Sequence, residues 1–333
     1  MKIKEKVWSK TLSFIILSLM LVALFVVSIN LGSIKVGALE LFKGLFLEYN
    51  KDVATIFDLR FPRVIISMLA GAALAVSGAL LQAVLKNPLA DPGIIGVSSG
   101  ASFMSVIVIG LFPSLYFYSP LFGFIGGVLA FVLVYSLSYK QGLSPMRILL
   151  VGIAIQALFE GLSSAVNSAT GGDMSGVADI VNGNITMKTW NDVTMLFWYA
   201  VPALIIAMFC AKKCDLIALE DRTVKSLGIN VNFLRFFISL VAVLLASSAT
   251  SVVGIVGFLG LLVPHIARLI VGSGNKVLLP FSAVLGAFVF LLADTIGRTI
   301  VSPFEINPSV IMAVIGGPVF IILLKRSTTI HGK

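Results

Sequence analysis

Residues 60–100 read RFPRVIISMLAGAALAVSGALLQAVLKNPLADPGIIGVSSG. After the two arginines no charge appears until Lys86. Positions 64–85 are therefore an apolar run of the length a helix needs to cross the roughly 30 Å hydrocarbon layer. Inside it Ala70, Gly71, Ala72, Ala73, Ala75, Ser77, Gly78 and Ala79 crowd together. Lipid tails give packed helices no hydrophobic drive, so spans associate by close approach, which small side chains permit. The run stops at Asn87-Pro88-Leu89-Ala90-Asp91-Pro92-Gly93, and Gly93, Gly96 and Gly100 lead into another apolar stretch. Broken backbone at membrane depth survives only where protein buries it or where it lines a cavity. The segment predicts an all-α membrane protein with a functional constriction at the break.

The rest of the chain follows suit. Of 333 residues 58% are hydrophobic and 12% charged, against about 25% charged in soluble domains, and the mean hydropathy is +1.07. These values exclude a soluble enzyme, a disordered chain and a disulfide scaffold. Charge inside hydrocarbon is costly, so charge-free gaps mark spans. Ten are expected, at 11–31, 64–85, 94–112, 120–139, 148–167, 193–211, 235–253, 257–271, 277–297 and 306–324, forming one transmembrane domain over 1–333 with a long loop at 212–235. The run before 268 is divided by Gly254-Ile255-Val256-Gly257 into one full and one shorter helix. The lysines before the first run resemble a signal peptide, but the run is long enough to span and no small-x-small site follows, so it reads as an uncleaved helix.

With ten alternating spans, only seven of the 24 Lys and Arg fall opposite the N-terminus: Lys35, Lys43, Lys51, Arg60, Arg63, Lys188 and Arg298. The other seventeen share its side, which places both termini in the cytoplasm of a cell membrane. The net charge of +9 is thus a signature of orientation, and its scatter over separate loops gives no nucleic-acid surface. No G-x-x-x-x-G-K-[ST], H-E-x-x-H or G-x-S-x-G occurs, so the chain neither cradles ATP nor carries these catalytic motifs. Cys210 and Cys214 cannot make a zinc site alone; no metal or cofactor is expected. Only Glu160 and Asp294 stand at membrane depth, too few acids for an ion-coupled carrier acting alone. What remains is a pore or permease driven by another subunit.

Three further segments carry information. In loop 212–235, Leu219, Thr223, Val224 and Leu227 fall at helical spacing ahead of Gly228, a plausible C-cap, which predicts a short amphipathic helix able to dock a partner. Around Pro264-His265-Ile266-Ala267-Arg268 a kink or helix start is expected, with His265 a packed structural residue ahead of a pH switch or metal ligand. In Ala293-Asp294-Thr295-Ile296-Gly297-Arg298 the acid can pair with Arg298 one turn on. Glu160, a lone acid in the fifth span, should face a cavity, the substrate path or a hydrogen-bonding neighbour.

At these segments the sequence resembles the FecCD-type permeases, the membrane subunits of bacterial ABC importers for iron-siderophores, haem and cobalamin. The resemblance rests on Leu59-Arg60-Phe61-Pro62-Arg63, Ser77-Gly78-Ala79-Leu80-Leu81-Gln82, Asn87 to Gly93, Pro264 to Arg268, and Ala293-Asp294 with Arg298. It covers about Arg60 to Leu324. It implies a type II ABC importer permease architecture of ten helices and a second permease subunit, as a homodimer or with a paralogue. It also implies separate ABC ATPase subunits and an extracytoplasmic substrate-binding (lipo)protein. Carried over by motif, Arg60, Arg63 and Arg298 would meet acidic residues of the binding protein as exposed guanidiniums. Leu219, Asp221, Thr223, Val224, Leu227 and Gly228 would couple to the ATPase, and Asn87, Leu89, Ser144 and Pro145 would form the cytoplasmic gate. Lys86 and the proline-free Gly254 to Gly257 depart from the family pattern. The stretch from Ile180 to Trp190 is similar to haem permeases of Gram-positive bacteria. The expected function is import of an iron chelate, haem or a ferric siderophore. Alternatives are a cobalamin permease and, less favoured, a stand-alone secondary transporter. Phe61-Pro62-Arg63 and Phe233-Leu234-Arg235 each precede a small-residue-rich helix of opposite orientation, as inverted repeats would.

Overall fold

The structure, a computed structural model, describes residues 2–31, 51–138, 145–169, 183, 185–301 and 304–330. Among them every regular element is helical: α1 (Lys2–Asn30), α2 (Lys51–Leu59), α3 (Phe61–Val84), α4 (Val97–Leu111), a 3₁₀ turn (Pro113–Tyr118) running into α5 (Ser119–Ser138), α6 (Pro145–Ala169), α7 (Trp190–Ala218), α8 (Asp221–Ser226), α9 (Val231–Val253), α10 (Leu259–Val271), α11 (Asn275–Thr299) and α12 (Pro308–Ile330). Seven stretches are long and apolar enough to cross a membrane, and α4, α10 and Pro308–Ile322 are shorter apolar helices. Each of the ten expected spans overlaps one of these.

The helix ends follow local chemistry. Pro62 stands in the first turn of α3, where its missing N–H costs nothing. Thr189 and Asp192 form a reciprocal capping box on α7, and the Asn230 side chain accepts from the Phe233 N–H at the start of α9. α9 ends at Gly254, whose φ of 74° stops the helix. Several elements differ from the sequence reading: α7 runs on to Ala218 and α9 starts at Val231, so part of the loop expected over 212–235 is helical. α4 begins at Val97, not near 94, because Gly96 turns left-handed at φ 83°. α2 was not expected, because Lys51, Asp52 and Asp58 interrupt its apolar pattern.

α3 lies at the centre of the bundle and packs against α11, α9, α7 and α10. Glycines set its approach. A β-carbon on Gly71 would stand 2.3 Å from the Gly286 carbonyl oxygen, and one on Gly78 would stand under 2 Å from that of Gly260. Gly100 of α4 and Gly126 of α5 meet in the same way. Serines bind across these contacts: Ser77 Oγ donates to Ala242 O at 2.7 Å, and the Ser105 and Ser251 hydroxyls share a 2.8 Å bond. Interhelical hydrogen bonds of this kind supply specificity where apolar burial cannot. Cys210 and Cys214 are free and buried. α1, α5 and α6 lie at the edge, with Leu19, Leu137 and Leu150 more than half exposed, as lipid contact requires.

Candidate functional site

Two polar centres sit at opposite ends of α3. At its N-terminal end Arg63 is buried, with Nε and Nη2 on Asp294 Oδ1 at 2.9 and 2.8 Å. Its Nη1 bonds Glu305 Oε2 at 2.7 Å. Asp294 is fully buried in α11. Arg298 lies 3.4 Å from Asp294 Oδ2 at i+4 and also bonds the carbonyl oxygen of Ser28 in α1. Arg60 donates from Nη1 to Ile29 O at 2.7 Å. Thr186 donates to Glu305 Oε2. Burial alone would raise the Glu305 carboxyl, but the Arg63 hydrogen bond and charge outweigh it and hold it below the usual range. Arg60 and Arg298 thus converge on the end of α1, while Arg63 ties α11 to the turn before α12. They are not the exposed set expected: Arg63 and Arg298 turn inward to neutralise Asp294, and Arg60 is half-buried at the rim. A buried carboxylate demands such partners.

At the other end of α3 the chain break folds back on itself. Asn87 is buried, and its Oδ1 accepts the Leu89 N–H at 3.0 Å. Asp91 Oδ1 accepts the N–H groups of Gly93 and Ile94, and its other oxygen stands against Gly260 of α10. Gln82 donates to Gly260 O at 3.1 Å and accepts from Arg268 Nη1 at 2.6 Å. Leu89 is half-buried beside this knot. Ser144 lies outside the described residues, and Pro145 opens α6.

The predicted amphipathic helix is α8, six residues long, shorter than the 219–228 stretch. Val224 is its buried anchor, while Leu219 and Leu227 are 45% and 60% exposed. Thr223 is exposed, and Gly228 closes the turn at φ 76°. Arg235 of α9 forks Asp221 through two bonds at 3.0 and 2.8 Å. Lys86 Nζ reaches Leu219 O at 2.7 Å and Asp221 Oδ1 at 3.3 Å. Burial works to raise the Asp221 carboxyl, but the Arg235 and Lys86 contacts prevail and lower it. So Lys86, which departs from the family pattern, ties α8 to the residue before Asn87. It does so from a left-handed backbone, φ 49°, uncommon for a side chain of this size.

Glu160 is half-buried on α6 and accepts from Gln156 Nε2 at 2.8 Å. Its partner is thus one turn back on the same helix rather than a serine or asparagine. His265 lines a cavity of about 430 Å³ with Arg268, Lys86 and Asn87. Among the described residues no cluster of His, Cys, Asp or Glu could hold a metal. Sequence reasoning passed over Glu305 and Gln82 as site residues. Gln82 sits in a quoted segment and Glu305 just beyond one, but their partners lie 178 and 242 positions away, and nothing local announces such pairs.

The model of the FecCD transport family matches residues 20–326. The chain belongs to the FecCD transport family. Among curated FecCD-like relatives, the "Probable heme-iron transport system permease protein IsdF" of Staphylococcus aureus strain Newman is 40% identical over 290 residues, covering 86% of this chain and 88% of that one. The same protein of strain MSSA476 is 40% identical over 278 residues, 84% of each chain. An inward-facing structure of a metal-chelate type ABC transporter superposes with a TM-score of 0.78 at 28% identity, covering 93% of this chain and 97% of that one. PsaBC from Streptococcus pneumoniae, in complex with Fab, shares the fold at a TM-score of 0.56 and 16% identity, over 86% and 95%. This FecCD chain is therefore a multi-pass membrane transport component.

Proposed function

We propose that this FecCD protein is the permease subunit of an ATP-driven importer for an iron chelate, and that the chelate is haem. The cargo reading rests on the 40% identity to the haem-iron permease over most of both chains. The whole chain acts as one permease domain with both termini cytoplasmic, and a second permease subunit completes the path. The mechanism rests on one observation: α8 is bonded both to α9 and to the chain break after α3. Force from an ATPase docked on Leu219 and Leu227 reaches Asn87 and Leu89 through Lys86 and Asp221. Glu160 and Gln156, both half-buried, form a polar stretch on α6 where lipid contact would be costly, and face the path.

A Leu227→Asp variant should fold normally, since Leu227 is exposed, yet lose most uptake and most co-purifying ATPase while still docking the binding protein. Normal uptake would remove the coupling role of α8. At the other end Arg60→Glu should weaken binding-protein docking about thirtyfold, because truncating or reversing a close interfacial charge pair costs on the order of 2 kcal/mol; unchanged affinity in a pull-down would dismiss it. Cargo is tested by deleting the gene and growing cells on haem, a ferric hydroxamate or ferric salt as sole iron source. A defect confined to haem is expected. A defect confined to the hydroxamate would move the cargo to siderophores, and a cobalamin-dependent defect would move it to cobalamin.

A further inference from the structure

Two cavities flank the turn between α10 and α11; the first borders the Lys86–Asn87 tether of the transport cycle described above, and the second touches none of its residues. The first, about 430 Å³, is cationic: Arg268 and Lys86 line it, with the His265 imidazole beside them and Ser273 at its edge. At about 30 Å³ per water, it has room for a phosphate headgroup. The second, about 680 Å³, is a groove between α1 and α11 lined by Phe14, Ile15, Leu19, Val22 and Val277. Lys10 closes the end of this groove. Its Nζ comes to 3.7 Å of the place a β-carbon on Gly272 would occupy, and Gly272 is the residue before Ser273. Lys10 thus stands at the turn the two cavities share.

The charges do not balance. Among the described residues no carboxylate lies in ion-pair reach of Arg268 or Lys10. Arg268 bonds the neutral Gln82 amide instead, and Lys86 shares Asp221 with Arg235. A half-buried guanidinium without an anion is an incomplete arrangement. Lys2, Lys4 and Lys6, with Glu5 among them, precede Lys10 in the sequence. A cationic polar chamber on one side of the α10–α11 turn and an apolar groove on the other, with Lys10 between them, suit one molecule class: a charged head on an apolar tail.

We infer that these two cavities together hold one anionic phospholipid of the inner leaflet, its phosphate among Arg268, His265 and Lys10 and an acyl chain along α1. The leaflet follows from the orientation proposed above; the site does not depend on the cargo. Because Asn87 and Lys86 border the headgroup chamber, an occupied site would brace the chain break and the tether to α8.

The test uses the full chain purified in mild detergent and native mass spectrometry with defined lipids. Phosphatidylglycerol should stay bound where phosphatidylcholine dissociates. Lys10→Gln should lower phosphatidylglycerol retention about fivefold, the worth of one basic residue near a charged lipid surface, and Leu19→Trp should lower it by crowding the groove. Equal retention of both lipids, or no effect of Lys10→Gln, would overturn the inference. Equal competition by water-soluble glycerol phosphate would also overturn it, showing an anion pocket with no use for the tail. A photo-crosslinking residue at Ile15 should yield lipid adducts in cells; a protein adduct there would show that another helix covers the groove, and would overturn it as well.

Discussion

Asp294→Ala should remove most of the protein from the membrane. The wild-type carboxylate is fully buried and sits between two guanidiniums, bonded to Arg63 at 2.8 Å and lying 3.4 Å from Arg298. Deleting it leaves Arg63 with Glu305 alone, a half-exposed partner, and leaves Arg298 on the neutral oxygens of Ser28. Breaking a buried pair by removing one side typically costs about 3–5 kcal/mol, a large share of the 5–15 kcal/mol that stabilises an ordinary domain. The damage also spreads, because the cluster joins α1, α3, α11 and the turn before α12. The expected reading is loss of the monodisperse peak in detergent and a clear fall in melting temperature. Asp294→Asn, which keeps an acceptor for Arg63, should be milder. Arg63→Met combined with Asp294→Leu should recover part of the loss, since replacing a whole buried pair by apolar groups is often tolerated. A stable, monodisperse Asp294→Ala protein would show that the cluster is peripheral to the fold.

The same cluster shows what a sequence can and cannot reveal. That residues 64–85 make a closely packed span was legible, because small residues in a charge-free run let helices approach in lipid; that it lies at the centre of the bundle was not. That Arg298 stands near Asp294 was legible too, because four residues make one helical turn. That Arg63 is the closer partner was not. The two are 231 positions apart, and only the crossing of α3 with α11 brings them together. An exposed role for Arg63 and Arg298 therefore came from the resemblance, while Asp294, legible as a partner of Arg298, gave no local sign that it also draws Arg63 inward. At the other end the spacing of Leu219, Thr223, Val224 and Leu227 showed an amphipathic helix, but not which apolar residue anchors it. Val224 does so, and Leu227 stays free for a partner. The Arg63–Asp294 and Arg235–Asp221 pairs stand at opposite ends of the bundle, each near the start of a helix following the Phe-x-Arg echo. That placement is what inverted repeats would produce.

Gly71→Val should be as damaging as loss of Asp294, for the opposite reason: an added side chain has nowhere to go. At this crossing the backbones of α3 and α11 are in contact, and the clash is reciprocal. A β-carbon at Gly71 would meet Gly286 O at 2.3 Å, and one at Gly286 would meet Gly71 O at 2.3 Å. Both obstacles are backbone, which cannot swing aside as a side-chain tip would. Relief requires the helices to part, and that would loosen the neighbouring Gly78–Gly260 contact and with it the Gln82–Gly260 bond that holds α10. Overpacking costs about 1–3 kcal/mol where side chains give way, and occasionally more; here backbone opposes backbone, so about 3 kcal/mol is the expected scale. Gly161→Ala is the matched control, since nothing lies within 4 Å of a β-carbon there, and alanine in an exposed helix position should stabilise by up to about 1 kcal/mol. Melting curves for the two variants in one detergent decide the matter. A large fall for Gly71→Val beside no fall for Gly161→Ala is the expected pair. Equal melting would mean that α3 and α11 are not in backbone contact, and the central position of α3 would fall with it.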